Sequence, residues 1–129
     1  MERDLALLRK SARRVTADLR FALGEGWTCT LDDVLVLTIT GPEQSESALL
    51  DHQVEEFFAP HGSSPEAQRL AGLEEDADDI VTSETLEILR VLGVSGPTCP
   101  QHGDPLSSCS SVWVCPAGHD GPFIGDLAK

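Results

Sequence analysis

The chain of 129 residues carries 22 acidic against 9 basic side chains, a formal net charge of -13, and 40% apolar residues with no tyrosine, two tryptophans and four phenylalanines. That length suits one modest domain with a small satellite and excludes two full-sized cores. So acidic a chain repels phosphate backbones, whose affinity for proteins comes largely from cations that release condensed counterions, and nucleic-acid binding by its body is disfavoured.

Charge is unevenly spread. Residues 1–23 hold six basic and three acidic side chains, residues 24–93 two and sixteen, and residues 94–129 one and three. The opening residues lack the apolar run of a signal peptide, and nothing later approaches the roughly 18 consecutive apolar residues of a membrane span. A cytoplasmic protein without membrane contact is expected.

Leu5, Leu8, Ala12, Val15, Leu19 and Leu23 recur at helical spacing, which predicts an amphipathic first helix stopped by Gly24. Arg9, Lys10, Arg13, Arg14 and Arg20 flank that stripe and are expected to be solvated or paired with the protein's own acidic body. Trp27, Cys29 and Leu31 alternate with threonines, and a β-branched run follows from Val34 to Thr40. The two form a predicted β-hairpin turning at Asp32-Asp33, with Cys29 a small buried side chain rather than a nucleophile.

Gly41-Pro42 breaks the strand, and Ala48, Leu49, His52, Val54, Phe57 and Phe58 suggest a second helix over 45–58, ended by Pro60. Ser64-Pro65-Glu66 reads as the start of a short helix through Leu70 and Leu73, and Glu74 to Asp79 as an acidic link. Ser83 is the expected N-cap of a further helix with Leu86, Leu89, Val91 and Leu92 on its apolar side and Gly93 as its stop.

After residue 93 the composition turns to Pro, Gly, Ser, Cys and His, too poor in aliphatic side chains for a core of its own, so a staple is required. Cys99-Pro100-Gln101-His102-Gly103 and Cys115-Pro116-Ala117-Gly118-His119 each supply a pair of metal ligands. The first pair resembles the Cys-Pro-x-Cys-Gly knuckle of the zinc-ribbon group with His102 in place of the second cysteine. The second has one extra residue before His119. Ser111 to Cys115 and Pro122 to Gly125 read as short strands flanking that second knuckle.

Two sulfurs from Cys99 and Cys115 and two imidazoles from His102 and His119 make a closed tetrahedral set, the mark of a structural rather than catalytic zinc. Cys109 either replaces a histidine or stays outside the site. Asp104 and Asp120 are read as turn residues rather than partners of the ligand imidazoles. The expected fold class is thus α+β: an N-terminal helix, a β-hairpin and two to three further helices in an acidic body (1–93), followed by a small zinc-ribbon-like module (94–129).

No glycine-rich phosphate loop, nucleophile elbow or HExxH pair occurs, so an enzyme is not expected, a zinc-dependent one being the least favoured function. A protein-interaction or adaptor role, immunity-like or chaperone-like and directed at a basic partner, suits the acidic body. A nucleic-acid-binding ribbon that uses the basic first helix is the alternative.

Overall fold

A computed structural model of the chain describes residues 2–51, 66–99, 101–109 and 111–128. It contains helix α1 (Glu2–Leu23), strands β1 (Thr28–Leu31), β2 (Val36–Thr40) and β3 (Ser45–Leu49), helix α2 (Glu66–Val91), and strands β4 (Ser107–Cys109), β5 (Val112–Cys115) and β6 (His119–Phe123). The strands form two antiparallel three-stranded sheets, ordered β1-β2-β3 and β4-β5-β6.

The apolar stripe of α1 is buried as its spacing demands. Leu8, Ala12, Val15 and Leu19 lie in the core, Leu5 and Leu23 at its margin, and Gly24 closes the helix with a positive φ of 121° and its N–H on Arg20 C=O at 3.1 Å. The predicted hairpin forms with Cys29 opposite Ile39 and Leu31 opposite Leu37, all four side chains buried. Its turn is held by the Asp32 carboxylate, which accepts the N–H groups of Val34 and Val36 at 3.0 Å each. Gly41 has no Cβ because the Trp27 ring lies against its backbone, where a Cβ would come within 2.7 Å.

Two expectations for the middle of the chain need correction. Residues 45–49 are strand β3 rather than the start of a helix, while 52–58 lie outside the described residues. Glu46, Ala48 and Leu49 are good helix formers, but the open edge of β2 overrides that preference by offering five partners in register, from Val36 opposite Leu49 to Thr40 opposite Ser45. A tight turn seals the pairing, with Gly41 N–H on Gln44 C=O at 2.8 Å.

The acidic stretch from Glu74 to Asp79, in turn, is not a link. It lies inside α2, which runs through Ser83 without interruption. Ala77, Ile80, Val81, Ile88 and Leu89 make the buried stripe that holds it; Glu75 and Glu87 are exposed, while Asp78 is buried. Among the described residues one further helix therefore follows the hairpin, not two or three; Gly93 stops it with a φ of 75°.

At the C-terminal end β5 falls within the expected strand. β6 begins at His119 rather than Pro122, and a further strand, β4, pairs with β5 from Ser107 to Cys109. Leu106, Trp113, Ile124 and Leu127 join the buried cluster that includes Leu8, Val15, Leu19, Leu37 and Leu89, so apolar packing runs across the compositional change at residue 94.

Two buried carboxylates fix this docking. Asp18 accepts Trp113 Nε1–H at 2.7 Å and the backbone N–H groups of Gly125 and Leu127 at 2.7 and 3.0 Å. Asp78 accepts the hydroxyls of Ser11 and Ser111 and pairs with the Arg14 guanidinium. Gly125 meets α1 closely: its φ is 99° and a Cβ there would stand 2.9 Å from that of Arg14.

Candidate metal centre

Each arm of the centre is a short turn shaped by glycine. In the first, an isolated bridge joins Thr98 to Pro105, Cys99 N–H donates to Asp104 C=O at 2.8 Å, and Gly103 N–H returns to Cys99 C=O at 2.7 Å with φ at 72°. Only a residue without a Cβ adopts that left-handed φ at no cost, which is why the chain turns at Gly103 and carries His102 back over Cys99. In the second arm Cys115 ends β5, Gly118 N–H bonds its C=O at 3.0 Å, and Ala117 N–H points to its Sγ at 3.4 Å.

These arms bring three donors together. Cys99 Sγ and Cys115 Sγ each lie 3.4 Å from His102 Nδ1, and the three ligand atoms all fall within 4.8 Å of one another. Both sulfurs are buried and the imidazole is exposed. Around a tetrahedral divalent ion with metal–sulfur bonds of ~2.3 Å and metal–nitrogen bonds of ~2.0 Å, sulfur and nitrogen ligands stand roughly 3.5 Å apart, so the spacing fits a metal ion.

Strand alternation puts Trp113 and Cys115 on one face of β5, both buried, so the centre is seated on the core rather than on a free loop. His119 lies directly opposite Cys115 in the β5–β6 register, but its side chain is outside the described residues. Cys109, exposed on β4 opposite Val112, does not belong to the three-donor group.

The electrostatics of the bare donors favour a cation. Burial by itself raises the Cys99 thiol, yet the His102 ring and the backbone N–H groups of Gln101 and His102 prevail and bring it down to about 6. Burial raises Cys115, opposed by Ala117 N–H and reinforced by the neighbouring Cys99 sulfur and by Asp104. One thiolate thus forms near neutrality and the second is suppressed beside it, a conflict that a bound cation relieves.

No family model, no curated protein and no solved structure matches this chain. Its chemistry is therefore read from its own side chains.

The basic face of α1 is largely engaged. Arg9 pairs with Asp33, Lys10 stands 3.9 Å from Glu74, and Arg14 pairs with the buried Asp78. Cys29 is buried with its Sγ 3.7 Å from Thr85 Oγ1, and burial pushes its thiol up to about 12, which suits packing and not nucleophilic attack. Asp18 and Asp78 were not singled out from the sequence. The available signal was position: each sits within a buried helical stripe, Asp18 beside Leu19 and Asp78 beside Ala77, where a carboxylate must be partnered.

Proposed function

We propose that this chain is a small cytoplasmic zinc-binding protein whose structural zinc ion is held by Cys99, His102, Cys115 and His119, and that it acts as a protein-interaction or adaptor module for a basic partner. The convergence of Cys99, His102 and Cys115 carries this reading. Thiolate and imidazole donors select zinc among the common divalent ions, and a fourth protein ligand opposite Cys115 closes the shell against substrate. The zinc-ribbon-like second sheet then serves as a rigid platform.

The net charge of -13 supports a basic partner, since opposite fields accelerate encounter, as in immunity-like or chaperone-like complexes. Pairing of Arg9, Lys10 and Arg14 with acidic neighbours leaves α1 poorly equipped to grip phosphates, which disfavours the nucleic-acid alternative. No described helix is long and apolar enough to cross a membrane.

The test has two parts. Elemental analysis of the purified chain is expected to find about one zinc per molecule, and metal-free protein would end the reading. Anisotropy with random-sequence duplex DNA should show no binding at physiological salt, while capture of a partner from host lysate should weaken as salt rises; tight DNA binding lost on Arg13→Ala and Arg20→Ala would favour the alternative.

A further inference from the structure

The two edges of the first sheet are treated differently. Leu50 N–H bonds Leu35 C=O and Gly41 N–H bonds Gln44 C=O, so the β2–β3 ladder uses the backbone groups of Glu46 and Ala48 and turns those of Ser45, Ser47 and Leu49 away from the sheet. By the same alternation Cys29 and Leu31 face outward on β1. There α1 closes the edge: Thr16 Oγ1 accepts Cys29 N–H at 2.8 Å and lies 3.0 Å from Cys29 C=O, and Arg9 Nε–H donates to Leu31 C=O at 3.2 Å.

No described element performs this service for β3. Among the described residues, the outward N–H and C=O groups of Ser45 and Leu49 meet no partner, and Ser47 N–H is met only by the carboxylate of its neighbour Glu46, an exposed local contact of 2.9 Å. Ser45, Glu46, Ser47 and Leu49 are all exposed, Leu49 by 53%. An open row of alternating donors and acceptors is a template for another strand.

From this row we infer that β3 is a docking edge that takes an extended basic segment of a partner protein by strand addition. The inference rests on the proposed role in binding a basic partner and names the surface for it. A carbonyl of the incoming strand replaces the Glu46 carboxylate on Ser47 N–H, and the freed carboxylate, with exposed Glu43 nearby, meets Lys or Arg side chains. An apolar residue of the segment covers Leu49. Charge also selects against a second copy of this chain, because two bodies of -13 repel each other.

The test uses the full chain and a synthetic peptide of about nine residues alternating lysine and valine, long enough to span a five-residue strand. Hydrogen exchange read by NMR is expected to slow about tenfold or more at the Ser45, Ser47 and Leu49 amides, with Glu46 and Ala48, already bonded to β2, unchanged. A lysine–proline peptide of equal charge should not protect them. Ser47→Pro removes one outward N–H and the hydroxyl contact with Thr38 but none of the backbone bonds to β2, and should weaken binding about tenfold or more; Glu46→Lys, which leaves the backbone and that contact intact, should weaken it as well.

Equal binding of the proline peptide, protection on α2 instead of β3, or self-association through β3 would overturn the inference. A salt-sensitive partner that binds Ser47→Pro and Glu46→Lys as well as the native chain would remove the docking edge while leaving the interaction role intact. If no basic partner is captured but the peptide still protects β3, it is the broader role that fails.

Discussion

The Asp18 carboxylate and the Trp113 indole, 95 residues apart in sequence, meet at 2.7 Å in the interior and tie the second sheet to the first helix. The same carboxylate receives Gly125 and Leu127 N–H, so one buried side chain satisfies three donors.

Asp18→Ala should therefore cost on the order of 3 kcal/mol in denaturant unfolding, because it strands buried donors rather than merely deleting a contact. Asp18→Asn keeps one acceptor and should cost less. Asp18 also makes stability depend on pH. Burial raises its pKa above the ordinary 3.8, the Gly125, Trp113 and Leu127 donors pulling it back only in part and Asp126 adding to the rise. The unfolded chain then loses this proton first, so the contribution of Asp18 is fullest below 3.8 and declines as pH rises through its folded value. The stability difference between the native chain and Asp18→Asn, followed upward from that pH, should shrink; a difference that grows would reverse the sign.

Among the thiols, Cys115→Ser should abolish metal binding and Cys109→Ser should leave it at about one ion per chain, because, of these two, it is Cys115 that stands beside His102 and Cys99. Titration with a zinc chromophore after thiol release distinguishes them. Equal loss in the two variants would place Cys109 in the ligand set.

Alkylation gives an independent reading of the same four cysteines. In the metal-loaded protein at mildly alkaline pH, iodoacetamide should modify exposed Cys109 alone, since Cys29 is buried with its thiol held near 12 and the other two would hold the ion. After chelation, mass spectrometry should find Cys99 and Cys115 labelled too. Early labelling of Cys29 would mean that the core opens more readily than its packing suggests.

Metal removal should also be felt at a distance. Trp113 and Cys115 share one face of β5, so chelation should change the tryptophan emission, and Gly125→Ala, which forces a Cβ to 2.9 Å from that of Arg14, should lower stability by about 1–3 kcal/mol. Unaltered emission on chelation, with the metal shown to be gone, would separate the centre from the core.

Local chemistry was enough to read several parts of the chain. The stripe of α1, the hairpin about Asp32-Asp33, the stops at Gly24 and Gly93 and the turn from Cys99 to Gly103 that carries His102 all depend on residues near one another in sequence, where helical period, β-branching and positive φ act directly. Residues 45–49 and the acidic stretch of α2 were decided elsewhere: the first by the unfilled edge of β2, the second by Ala77, Ile80 and Val81 facing the core, with Asp78 buried among them and Glu75 exposed. The partners of Asp18 and Asp78 come from residues far along the chain, so only tertiary structure could reveal that these two charges are buried, and why a buried charge is tolerated there: each is met by donors that no local pattern encodes.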